Sequence, residues 1–185
     1  MVGRQEMSGR RGGAFDAFEL SGRRAEFDGR VNAVALPRVA DRLDPAGGAA
    51  DVSWRIAGTQ DARERPALEV SLDGSVPLVC QRCMRAFAWP VAQRTLLLLA
   101  RDERELAALD EDDEHEVLLA AAPLDALTLI EDELLLTLPF SPRCSRTGCR
   151  LVADAVAADA VADEPASAFA ALGRLRRDTA KKSKD

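Results

Sequence analysis

The clearest periodic signal along the chain begins at residue 51. Val52, Trp54 and Ile56 alternate with Asp51, Ser53 and Arg55, the period-two pattern of a strand with one buried face. After a charged turn, residues 67–79 repeat the pattern with Leu68, Val70 and Leu72 on one side, and Asp73-Gly74 marks an expected bend or bulge. Residues 87–100 form a third, longer apolar run interrupted by Pro90. The two longer runs predict a hairpin whose turn is the CQRC sequence at 80–83. Shorter strands are expected at 26–31 and 117–120.

Helical spacing recurs at Leu36, Val39, Ala40 and Leu43, ended by DPAGG at 44–48, and again through Leu106 and Leu109. The strongest helix is expected over 124–138. There Leu124, Leu127, Ile130, Leu134 and Leu138 recur at intervals of three and four, with Pro123 in the opening turn and Pro139 at the close. On the helical wheel Glu131 falls beside this stripe, whereas Asp132 and Glu133 lie off it. A partly buried carboxylate needs a cationic or hydrogen-bonding partner, and Arg82, Arg85 and Arg143 are the candidates. These elements predict an α+β fold: a small antiparallel sheet with a long hairpin, packed by two or three helices, with flexible termini. Residues 1–14 read as a disordered Gly- and Arg-rich tail and 15–150 as a single α+β domain. Residues 151–185 read as a low-complexity tether, a short amphipathic helix through Phe169, Leu172 and Leu175, and a basic tail.

Candidate chemistry is concentrated in the cysteines. All four fall into two close pairs, Cys80 with Cys83 and Cys144 with Cys149. Each spacing suits half of a structural zinc site, because a short turn can aim two thiolates at one tetrahedral ion. About 60 residues separate the pairs, against roughly 15 to 20 in compact zinc ribbons. Closing such a loop costs about 3 to 4 kcal/mol, well below the roughly 10 to 16 kcal/mol of structural zinc binding. Free reduced thiols and a redox CxxC are the alternatives. Disulfides need an oxidising compartment, and the first 20 residues carry no apolar secretory segment. A redox CxxC opens a helix, whereas Cys80 follows an extended run.

Composition narrows the function. A net charge of −6 with aromatic residues at only 4%, and a pI near 5.0, exclude broad electrostatic capture of nucleic acid and an aromatic base-stacking platform. Any RNA contact has to be local. No apolar run reaches the 18 or more residues of a spanning helix, so a cytoplasmic protein is expected. Residues 101–116 carry nine Asp and Glu against two Arg, a solvated charge run in which His115 is a surface residue. A nuclease or hydrolase built on Asp112, Asp113 and Glu114 with a divalent metal is the least favoured reading, because consecutive carboxylates on a loop are more often solvated than convergent.

The blocks VPLVCQRCMRAF at 76–87, IEDELLLTLPFSP at 130–142 with the cysteine pair that follows, and PASAFAALGRLRR at 165–177 resemble the bacterial large ribosomal RNA subunit accumulation proteins, the YceD-type family. The resemblance covers most of residues 15–177. It implies an α+β domain without a known enzymatic activity, linked to 23S ribosomal RNA accumulation and large-subunit assembly. It also implies a metal-binding or structural knuckle, a role that falls on Cys80, Cys83, Cys144 and Cys149 with zinc as the cofactor. Where the family's last block often reads Pro-Asn-Pro-Phe, this chain has Pro165-Ala166-Ser167-Ala168-Phe169. The expected partner is ribosomal RNA, or a ribosomal or large-subunit assembly protein, with no membrane and no small-molecule substrate. Residues expected at that contact are Arg82, Arg85, Glu131, Asp132, Glu133, Arg174, Arg176, Arg177, Lys181 and Lys182. A cytoplasmic thiol protein using CQRC is the alternative function.

Overall fold

A computed structural model describes residues 13–111 and 115–149. Residues 1–12 of the tail expected over 1–14, the acidic triplet 112–114, residue 150 and the tether, helix and basic tail expected over 151–185 lie outside the described residues; Ala14, expected within the tail, is instead part of a strand. Five strands build the main sheet in the order β2-β3-β4-β5-β6: β2 (Glu26–Asn32), β3 (Asp51–Gln60), β4 (Pro66–Val79), β5 (Ala86–Ala100) and β6 (Glu116–Leu119). A second, two-stranded sheet pairs β1 (Ala14–Phe15) with β7 (Leu124–Asp125). The helices are α1 (Ala17–Arg23), α2 (Pro37–Ala40), α3 (Glu103–Asp110) and α4 (Ala126–Thr137), with a 3-10 turn at Ala33–Ala35. Among the described residues no helix is long and apolar enough to cross a membrane.

The period-two pattern decides which face of the sheet is the core. Register places Phe27 beside Ile56 and Ile56 beside Val70, Val31 beside Val52, and Leu68 beside Leu97. All of these are buried, and α4 lays Ala126, Leu129, Ile130 and Leu134 into the same cluster. The opposite face carries a ladder of charge in which Arg55 meets Glu26 and Glu69, and Arg94 meets Glu69. Gly58 lets α1 sit close, since a Cβ there would lie 2.1 Å from the Leu20 carbonyl oxygen.

Several expectations are corrected. The sheet is not wholly antiparallel: β6 pairs parallel to β5, from Leu97 beside Glu116 to Ala100 beside Leu119. A parallel neighbour needs a crossover, and α3, capped by Asp102, supplies it. Neither Asp73-Gly74 nor Pro90 interrupts its strand, because the β4–β5 register runs unbroken from Ala67 beside Leu98 to Val79 beside Ala86. The Cys80 N–H bonds the Arg85 carbonyl at 3.0 Å. Stepping back by twos from that pair puts Pro77 and Pro90 at positions where no ladder hydrogen bond is required. Gly74 is a close-approach residue rather than a bend, since a Cβ would come within 2.5 Å of the Asp51 oxygen. The helix expected around Leu36 to Leu43 is one turn, α2, behind the 3-10 turn.

The long helix starts at Ala126, two residues later than expected. Leu124 and Asp125 pair with β1 instead, and Asp125 caps α4 by accepting from the Thr128 N–H at 2.8 Å. Glu131 is buried as expected, but its partner is Arg38 of α2. The carboxylate accepts from the Arg38 backbone N–H at 2.7 Å and from its Nε at 3.0 Å. Arg38 also reaches Asp132 at 2.6 Å.

Glu133 is not off the packed face: it is 4% exposed. Burial pushes its carboxyl above the usual range, with Glu116 and Asp132 adding to the rise and a hydrogen bond to Thr95 opposing it. A folded-state pKa above the unfolded one gives stability that is whole below the unfolded pKa and lost as pH rises through the folded pKa. Glu133→Gln has no proton to lose. It is expected to match the parent near pH 4 and to exceed it in urea-unfolding stability at pH 8. A variant less stable than the parent at pH 8 would contradict this reading.

Candidate metal centre

The first cysteine pair sits in the β4–β5 turn. The strand ladder closes with the Cys80–Arg85 bond, the Met84 N–H donates back to the Cys80 carbonyl at 2.9 Å, and Met84 adopts a left-handed conformation with φ of 55°. The second pair follows α4. Its chain leaves the helix through Pro139, and the Pro142 carbonyl accepts from the Gln81 N–H at 2.8 Å, drawing Cys144 onto the first turn. A tight turn then returns Cys149, whose N–H donates to the Arg146 carbonyl at 3.1 Å, with Gly148 at φ 80°.

The four sulfur atoms lie within 4.8 Å of one another. Cys80 Sγ is 3.7 Å from Cys149 Sγ, and Cys83 Sγ is 3.8 Å from Cys144 Sγ. Four thiolates about 2.3 Å from a central zinc stand about 3.8 Å apart along a tetrahedral edge, so these two edges already have the length a zinc ion requires. The surrounding donors fit a thiolate cluster as well. The Cys144 N–H points at Cys80 Sγ from 3.4 Å, and Arg82 Nε lies 3.0 Å from Cys149 Sγ. The backbone N–H groups of Cys144 and then Cys83 hold the Cys80 thiol down to about 5, against some opposing desolvation. Burial pushes the Cys149 thiol up to about 11, although Arg82 pulls it the other way. Cys80 is fully buried and Cys144 nearly so, while Cys83 and Cys149 are partly exposed. The cluster can hold a metal ion.

This arrangement coincides with a match to the family model for the large ribosomal RNA subunit accumulation protein YceD, over residues 68–176. The chain belongs to the YceD family. The match begins in β4 and takes in the hairpin, both cysteine pairs and α4, so the two halves of the cluster are framed by the family's own region. It continues past the described residues into the block that holds Phe169 and the first arginines of the basic tail. Neither a curated protein nor a solved structure matches this YceD-family chain.

The other expected contact residues of this YceD-family protein divide into three groups. Arg82 belongs to the cysteine cluster, and Arg85 is exposed at the hairpin tip. Glu131 and Asp132 turn to Arg38, and Glu133 to Thr95, so the helix acids meet none of the knuckle arginines. Arg174, Arg176, Arg177, Lys181 and Lys182 lie outside the described residues. His115 takes no part in the cysteine group. Residue typing along the chain missed Arg146, which donates to the Ala86 carbonyl and ties the second knuckle to β5. The available signal was charge segregation. Residues 74–101 and 134–153 contain no Asp or Glu in a chain that has 31, and these two stretches carry the two knuckles.

Proposed function

We propose that the protein is a non-catalytic factor supporting 23S ribosomal RNA accumulation and large-subunit biogenesis in the cytoplasm. In this reading Cys80, Cys83, Cys144 and Cys149 hold one structural zinc. Family membership carries the ribosomal half of the reading, and the sulfur spacing supports the metal half. Bound zinc would supply cross-linking and no reaction: it joins the hairpin tip to the chain leaving α4. Arg82 offsets part of the negative charge that four thiolates leave around a divalent ion, the usual task of groups surrounding such a centre.

A thiol-redox role for CQRC is the competing function, and the depressed Cys80 pKa is the kind of shift it needs. The thiol concerned is buried at 0% exposure, which withholds it from a protein disulfide. In cells depleted of the native protein, re-expression of this chain is expected to restore the ratio of 23S to 16S ribosomal RNA. An unchanged ratio on both depletion and re-expression would remove the ribosomal assignment.

A further inference from the structure

Among the described residues, none of the arginines around the cysteine cluster meets a carboxylate, as several elsewhere do. Arg23, Arg38, Arg55, Arg94 and Arg101 each meet a carboxylate. Around the knuckles Arg82 meets a sulfur and Arg146 a carbonyl, while Arg85 and Arg143 make no ion pair among the described residues. Among the described residues, Arg82, Arg85, Arg143 and Arg146 outweigh the net −2 of a zinc held by four thiolates, so this end of a protein of net charge −6 stays positive.

That charge borders a built concavity. Gln81, Arg82, Ser141 and Arg143 line a cleft of about 210 Å³. Two guanidinium groups, an amide and a hydroxyl are a donor set suited to phosphate oxygens. Gln81 also lines a second, larger groove of about 450 Å³, with Leu138, Pro139, Phe140 and Pro142 on one wall and the charged Asp41 and Arg42 also in its lining. Phe140 stands at its rim, 95% exposed. A fully exposed ring at a groove rim offers a flat face on which a base can stack. An anion cleft sharing Gln81 with a mixed groove that has an aromatic rim matches the two ends of a nucleotide.

We infer that this paired cleft binds single-stranded or bulged RNA, with a backbone phosphate between Arg82 and Arg143 and an unpaired base against Phe140. The inference rests on the ribosomal reading and supplies its contact. A helical RNA keeps its bases stacked inside, so a groove that takes one base favours unpaired nucleotides. The low aromatic content and acidic net charge do not oppose a contact of this kind, because it uses one ring and one local patch.

Full-length protein is titrated with a fluorescein-labelled single-stranded RNA 12-mer and with the same sequence as a duplex, by anisotropy over a range of salt. Phe140→Ala and Arg143→Ala alter exposed side chains, and metal content verifies that the knuckles persist. The parent is expected to prefer the single strand. Phe140→Ala should weaken binding about fivefold or more, and Arg143→Ala should lower the logarithmic salt slope by about 0.7. Arg94→Ala, on the charged sheet face, should change neither. Parent-like binding by both variants, preference for the duplex, no RNA binding by the parent, or a photocrosslinker at position 140 that captures protein instead of RNA would each overturn the cleft. The double variant separates this from the wider role. If it restores 23S ribosomal RNA as fully as the parent, the cleft is wrong and the function stands; if the parent also fails, the function falls.

Discussion

Cys144→Ser is expected to lose the metal and release the second knuckle while leaving the sheet folded. Cys144 is buried at the junction, with its sulfur 3.8 Å from Cys83 and its N–H on Cys80. Without that ligand the segment beyond Pro139 is held chiefly by the Gln81 to Pro142 bond and by Arg146 on Ala86. Structural zinc contributes roughly 10 to 16 kcal/mol in small peptides that fold only around it. Here α4 already packs on β4 and β5, so the core itself closes most of the long loop. The loss should therefore be local. Hydrogen exchange is expected to show protection falling by at least about a hundredfold at Gln81 and across 142–149, equivalent to roughly 3 kcal/mol, with β3 and β4 unchanged. Global unfolding would mean that the cluster is the nucleus of the domain; unchanged protection at 142–149 would mean that it holds nothing.

Glu131→Ala is expected to cost about 2 to 3 kcal/mol of unfolding free energy. The carboxylate is the acceptor for both the backbone and the side chain of Arg38, and removing it leaves the Arg38 N–H without that partner in a part-buried place. The Arg38 side chain is 51% exposed and can rehydrate, which keeps the loss below that of a fully buried pair. Glu131→Gln should fall between, since it retains one oxygen acceptor. Desolvation acts to raise the Glu131 pKa, but hydrogen bonds from Arg38 outweigh it and hold the carboxyl below its usual range. Its stabilising contribution is thus present above the unfolded pKa of about 4.3 and lost as pH falls through the depressed folded value. Urea midpoints at pH 7 and pH 3 check both statements: the gap between parent and alanine variant should be wider at the first than at the second. A midpoint at pH 7 equal to the parent's would show that the pair is ornamental.

Strand positions were legible because burial of one face writes itself into every second residue, as in Val52, Trp54 and Ile56. Strand direction was not. The pattern of Val117 and Leu118 is the same whichever way β6 runs, and the short helix expected through Leu106 and Leu109 suits a long hairpin loop as well as a crossover. The α4 stripe was found, but a single-face wheel could not anticipate two neighbours. With the sheet on one side and α2 on another, both Glu131 and Glu133 become buried, and the cation that meets Glu131 lies 93 residues away in sequence. Pro90 looked like a break because its missing N–H was counted without the parity of the ladder. The cysteines were legible as pairs from spacing alone. Their convergence required the β4–β5 turn and the end of α4 to meet, a tertiary fact that the Gln81 to Pro142 bond expresses directly.

Metal content of the full chain, purified without chelator and weighed by native mass spectrometry, tests the four-cysteine staple most directly. One zinc ion per chain is expected, with all four thiols protected from iodoacetamide until the metal is removed. A folded chain of metal-free mass whose thiols alkylate freely would contradict it.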